Sequence, residues 1–339
     1  MTARHVFLLG LALSALALLA IAAAPADALP AWLAAAFLWS GLPFGSLGLL
    51  MVMRLTGGRW DQALPPFLEA GALTLPLSLL ALLPVMAGLH ILYPWAVHSL
   101  PGFKGVWLSP LPFVLRTLAL FLGAGVFLWG LVTRRWPALV IASAGLIFLL
   151  PTLTFVLTDW LLSLEPGFHS SGFPLYAMTI EFNVALMAAV VLLCTYQPER
   201  TAALSAIMIT LTLLWLYLAF THYIIIWSGN LTDVAGWYRE RSSGGWGAAY
   251  AVCAVTEAGA FLVLVSPKVR QSASALRAIA VVVLLSKVIE AAWLVLPVGG
   301  LVRLAAVALY GLAAVGLGMT FLAAQVMLLR RRVAARAPA

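Results

Sequence analysis

Ten apolar runs dominate the chain, at about residues 6–24, 32–53, 67–89, 111–133, 137–162, 175–196, 203–228, 246–266, 276–296 and 301–329. A hydrocarbon core of about 30 Å needs about 20 residues of helix to cross it. The runs are continuous and do not alternate, so they read as helices and not as strands of a membrane barrel. Composition agrees, since 64% of the 339 residues are hydrophobic and 9% are charged, too little polar surface for a soluble domain of this size. The expected fold class is an all-α polytopic membrane protein. The net charge of +8 would point to nucleic acid in a soluble chain, but here the charges cluster at span ends, and no nucleic-acid partner is expected.

The first run has the outline of a signal peptide, with Arg4, an apolar core and the small-residue stretch AAAPADA. It is read as a retained first helix. Cys194 and Cys253 both fall inside apolar runs and form no CxxC or ligand cluster, so they read as small buried residues.

Basic residues near span ends orient a membrane protein. With the N-terminus in the cytoplasm, thirteen Lys and Arg flank the cytoplasmic ends, including Arg54, Arg134, Arg135, Lys268, Arg270 and the run Arg330–Arg332. Four lie on the other side: Lys104, Arg239, Arg241 and Arg303. The asymmetry predicts that both termini are cytoplasmic. It also places three aromatic loops outside: 90–110, 229–245 and the segment that follows Asp159 in TDWLLSLEPGFHSS. Trp160 reads as an interfacial anchor there, Asp159 as facing the bundle interior, and Glu165-Pro166 as the start of an outer loop that forms a docking edge.

An internal repeat is expected. HILYPW (90–95) answers HYIIIW (222–227) at an offset of 132, and Asp159 and Trp160 answer Glu290 and Trp293 at offsets of 131 and 133. Spans two to five and six to nine then form two parallel four-helix bundles, flanked by spans one and ten. The corresponding segments are 1–30, 31–166, 167–298 and 299–339.

Ionisable groups in a bilayer cost about 2.5–3.5 kcal/mol each on insertion scales, and therefore face bundle interiors. The candidates are Glu69, Arg116, Asp159, Glu181, His222, Glu257, Lys287 and Glu290. Lys287 and Glu290 are three apart and share a helix face, and Glu257 lies at matching depth. The set reads either as structural ion pairs or as a proton pathway, with Thr154, Thr158 and Ser163 as hydroxyls beside Asp159. His222 and His90 could pair on a haem only at matching depth, and interfacial hydrogen bonding is the preferred reading of both. Spans six to nine contain no internal proline, against Pro43, Pro76, Pro84 and Pro151 in the first set; this counts against a transporter with matched broken helices.

Several stretches in order resemble the NrfD/PsrC-like integral membrane subunits, and in particular the ActF-like subunits of alternative complex III, a quinol:cytochrome c oxidoreductase. They are GSLGLLMVMRLTGGRW (45–60), LEAGALTLPL (68–77), LYPW (92–95), KGVWLSPLPFVLRT (104–117), DWLLSLEP (159–166) and WLYLAFTHYIIIWSGN (215–230). The resemblance implies an accessory subunit without its own redox centre. Its neighbours would be an NrfD-like partner or a haem-copper oxidase core, cytochrome c or multihaem subunits on the outer face, and lipids. It assigns proton-conducting roles to Glu69, Arg116, Asp159, Glu165 and His222. The chain departs from the family after Leu-Glu-Pro, where Gly167 and Phe168 stand in place of His and an aromatic, and after Asn230, where Leu231-Thr232-Asp233 replaces Pro-Glu-Glu. No cofactor bound by this chain is expected; quinone or lipid is the one ligand class left open. The alternatives are a quinol-binding catalytic subunit using His90, Asp159 and Glu165 at the outer end of the first bundle, and a secondary transporter.

Overall fold

A computed structural model describes residues 2–58, 63–201, 204–229, 232–297 and 303–336. Among these, ten helices are long and apolar enough to cross a membrane, and the element order contains helices only. The chain is an all-α, multi-pass membrane protein. We number the spans α1 (Ala3–Ala23), α2 (Pro25–Thr56), α3 (Pro65–Ala87), α4 (Pro110–Thr133), α5 (Ala138–Leu164), α6 (Phe173–Tyr196), α7 (Leu204–Gly229), α8 (Trp246–Val265), α9 (Ala273–Val295) and α10 (Leu304–Arg336).

Two helices occupy the centre. α2 is apolar on every face and buried from Ala28 through Met51, and α6 is buried along most of its length, as expected of helices surrounded by protein. They pack against each other where small residues let the backbones meet. A Cβ added at Gly45 would lie 2.4 Å from the carbonyl oxygen of Glu181, so this crossing requires glycine. Around α2, the order of neighbours is α2–α3, α3–α4, α4–α5 and α5–α2; around α6 it is α6–α7, α7–α8, α8–α9 and α9–α6. α5 also touches α6, and α9 also touches α2. Outside this pair of rings, α1 packs on α10, and both lean on α2.

Some boundaries differ from the expected ones. Residues 25–31 are helical and not a connection, so that one residue, Ala24, separates α1 from α2. Pro25 pre-sets the first turn and Asp27 complements the positive end of the helix. α3 is broken at Leu73-Thr74, just before Pro76, into Pro65–Ala72 and Leu75–Ala87, because a proline cannot donate into the preceding turn. The start expected for the last span, residues 301–302, lies outside the described residues.

Successive spans run in opposite directions, so the long connections 88–109, 165–172 and 230–245 share one end of the molecule. Contacts between them make that end a packed cap. Lys104 Nζ donates to the Pro166 carbonyl at 2.6 Å and lies 2.8 Å from His169 Nε2.

Candidate functional site

Four groups of polar side chains stand apart from the apolar core, and they differ in depth and in charge balance. The first is at the basic end opposite the cap. There Glu69 on α3 is buried and paired with Arg332 of α10, with Arg54 of α2 at 3.9 Å. The pairing fastens three helices where the chain leaves the hydrocarbon.

The second lies at the cap end of the first ring. Asp159, one residue before the α-helical part of α5 ends, accepts from Arg116 Nε at 2.6 Å and from Trp107 Nε1 at 3.3 Å. Arg116 also donates to the Trp107 carbonyl at 2.9 Å, and its guanidinium stacks 4.2 Å from that indole ring. One carboxylate and one guanidinium give a neutral pair with its donors assigned. Asp159 faces inward as expected, at 0% exposure. Trp160 does not act as an interfacial anchor: it is fully buried and donates to Thr117 Oγ1 at 3.1 Å. Trp293, its expected counterpart, is also buried and donates to the Arg241 carbonyl at 3.0 Å. Both rings fill space between helix ends and cap loops, so the interfacial preference of tryptophan is overridden by packing. Tyr93 donates to the Trp160 carbonyl at 2.9 Å. Burial, assisted by the nearby Asp159 charge, pushes its phenol well above the ordinary range, so it remains a donor. Of the hydroxyls expected beside Asp159, Thr154 and Thr158 bond back to carbonyls one turn earlier on their own helix. Ser163 Oγ donates to the Asp159 backbone carbonyl at 2.5 Å.

The third group is the deepest. Lys287 Nζ lies 2.6 Å from Glu257 Oε1 on α8 and 2.8 Å from Glu290 Oε2 on its own helix, all three side chains at 0% exposure. The predicted i,i+3 pairing on α9 and the opposition of α8 to α9 are both present. Counted along the helices at about 1.5 Å per residue, the three lie about 7–17 Å from the cap ends of α8 and α9. Two carboxylates against one ammonium leave the cluster one negative charge over if all three ionise. The two carboxylates are served unequally. Glu290 accepts from the Tyr176 hydroxyl, from Trp215 Nε1 at 2.9 Å and from Lys287. Glu257 meets the Lys287 ammonium at 2.6 Å and no second donor. The Lys287 ammonium also lies 4.0 Å from the Trp215 ring centre. Tyr176 and Trp215 went unnoticed in the sequence because aromatics at span positions look like ordinary core.

The fourth group joins the two rings through the cap. Arg241, expected only as an outer basic residue, is 2% exposed. It donates to Glu165 Oε1 at 2.6 Å, to the Leu294 carbonyl at the end of α9 at 3.0 Å and to the Trp237 carbonyl at 3.3 Å. Its guanidinium stacks 3.8 Å from the Trp237 ring. Burial pulls its pKa down from the ordinary arginine value, while Glu165 opposes that shift. Glu165 is thus engaged in holding the 165–172 segment to the 230–245 segment, and is not a free docking residue. Beside it, His222 is 4% exposed and surrounded by aromatic rings, where an interfacial position was expected. Its Nδ1 lies 2.6 Å from the Tyr238 hydroxyl. Burial raises the Tyr238 phenol far above its usual value, which keeps that proton in place.

The remaining candidates are separate. Glu181 sits at the α2–α6 crossing, fully buried, accepting from Ser40 Oγ at 3.1 Å. His90 is exposed, while Asp159 and Glu165 are held in ion pairs to different partners, Arg116 and Arg241. The three residues expected to share an outer quinol site do not form one constellation.

No family model matches the chain, and no curated protein matches it.

Proposed function

We propose that the chain is an accessory integral membrane subunit of a respiratory electron-transfer complex, of the alternative complex III kind or attached to a haem-copper oxidase. In this reading it carries no redox centre of its own and contributes a proton-transfer element. Its home would be a bacterial inner membrane, with both termini in the cytoplasm. The NrfD/PsrC-like motifs supply the assembly part of the reading, and the buried Glu257–Lys287–Glu290 cluster supplies the proton part.

That cluster is the observation that carries the proposal. Isolated excess charge in a low-dielectric interior is costly, and a buried site relieves it by taking up a proton. Glu290 is the better-served carboxylate, with three donors at its oxygens. Glu257 has Lys287 alone as a neighbour of opposite charge, and in this reading the proton resides there. The resting cluster is then neutral: Glu257 protonated, Lys287 as ammonium and Glu290 as carboxylate. Exchange of the single Glu257 proton, with Lys287 swinging between two carboxylates about equally distant from it, is the elementary step. The aromatic shelf of Tyr176 and Trp215 keeps Glu290 fixed while this occurs.

Purification tests the assembly reading. A tagged chain drawn from its native membrane in mild detergent should bring haem-containing subunits with it; a chain that emerges alone and colourless would sink the proposal. In the intact complex, Glu257→Gln should lower the protons moved per electron while leaving electron transfer between quinol and its acceptor nearly unchanged. An unaltered proton ratio would remove Glu257 from any pathway.

A further inference from the structure

Lys104 carries a charge that the protein does not neutralise. Its ammonium donates to the Pro166 carbonyl at 2.6 Å and lies 2.8 Å from His169 Nε2. Among the described residues it forms no ion pair. An ammonium has protons only to give, so Nε2 accepts and the ring proton sits on Nδ1. His169 therefore presents an N–H of its own, for which the described residues offer no acceptor. The hydroxyls of Ser170 and Ser171 follow in the chain and likewise have no protein partner among the described residues.

These donors line the cap end of a groove of about 560 Å³ that continues down α5 past Leu162 and Thr158 to Thr154, about 12 Å along the helix. Thr154 and Thr158 spend their hydroxyls on carbonyls of their own helix, so this lower part is apolar. Phe103 and Phe155 also line it and are 76% and 50% exposed; the groove opens toward the lipid.

A donor-lined head and an apolar, lipid-open floor fit an amphiphile with an anionic, acceptor-rich head and an aliphatic chain. No carboxylate lines the groove, and Asp159 and Glu165 at the same end are taken by Arg116 and Arg241. The cation of a zwitterionic head would find no counter-charge in these walls. A phosphate with a single net negative charge is balanced by Lys104, in the charge-assisted contact that an unpaired ammonium favours. Free phosphate would leave the apolar floor uncovered.

We propose that the groove is a site for a phospholipid of net negative head charge. Lys104, His169 and the two serines hold its phosphate, and one acyl chain lies along α5 beside Phe103 and Phe155. The site selects by head charge, unlike the general lipid shell of a membrane protein, and stands whether or not the chain belongs to a respiratory complex.

The full chain tests it in nanodiscs of equal phosphatidylcholine and phosphatidylglycerol, with a trace of one or the other carrying a photo-activatable acyl chain. The phosphatidylglycerol probe should label residues 103–107 and 154–162 about tenfold more than the matched phosphatidylcholine probe, the worth of one hydrogen bond to a charged group. Lys104→Gln keeps a donor for Pro166 and His169 but removes the charge, and should erase that preference. Millimolar inorganic phosphate should leave the labelling unchanged; its loss would assign the donors to free phosphate and sink the lipid site. Equal labelling by the two probes in wild type, which needs no variant to fold, or an undiminished preference in Lys104→Gln, would overturn the proposal.

Discussion

The Asp159–Arg116 pair stands in one ring and the Glu257–Lys287–Glu290 cluster in the other, and they are different kinds of object. The first is balanced, lies at a helix end, and keeps its arginine 18% exposed. The second is unbalanced, lies about one to three turns deeper, and is exposed nowhere. A balanced pair near water can be rebuilt by hydration if it is broken. An odd-charged cluster in hydrocarbon has no such recourse, and must hold its neutrality with a proton. The first ring thus holds a neutral fastening at its edge, and the second an odd charge in its interior.

The largest test is Lys287→Met. It leaves two buried carboxylates without their ammonium, and removing one partner of a buried charge pair costs about 3–5 kcal/mol. Detergent-solubilised protein should lose its monodisperse elution, or unfold at a markedly lower temperature. Arg116→Leu should cost less, about 1–3 kcal/mol, because the pair lies at a helix end and Arg116 itself is 18% exposed. A thermal drop equal to that of Lys287→Met would erase the distinction between the two regions. Adding Asp159→Leu to Arg116→Leu should restore most of the loss, since replacing both members of a pair by apolar groups is often neutral. The smallest expected effect is Glu257→Gln, under about 1 kcal/mol, because an amide stands in for a carboxyl already protonated. If it destabilises as Lys287→Met does, Glu257 is the carboxylate and Glu290 holds the proton.

Much of the fold could be read in the chain because bilayer thickness dictates run length, and ten runs became ten helices. The deep cluster was legible for a similar reason: Lys287 and Glu290 share a helix face by spacing alone, and an ionisable residue in such a run has few places to go. The cap was not legible. Arg241 looked like any basic residue beside a span, and its burial depends on meeting Glu165, 76 residues away. Trp160 and Trp293 carried the composition of an interfacial belt, but the loops fold back over them and turn the interface into interior. The free nitrogen of His222 was beyond sequence altogether, since only Tyr238 in a neighbouring short helix decides which ring atom is left unpaired. Period and length survive in sequence; pairings across connections of many residues do not.

The clasp between α1 and α10 bears on how the protein is made. A Cβ on Gly10 would fall 2.6 Å from the backbone nitrogen of Thr320, and one on Gly316 would fall 2.7 Å from that of Ser14. α1 therefore finds a close partner in α10, roughly three hundred residues later in the chain, and contacts of such long separation form late. Until then α1 waits in the bilayer with its small-residue face covered only by lipid or by an assembly factor. A chain truncated before α10 would leave its opening helix an orphan, open to membrane proteases. The clasp acts as a check on synthesis: α1 and α10 lock only when everything between them is in the membrane.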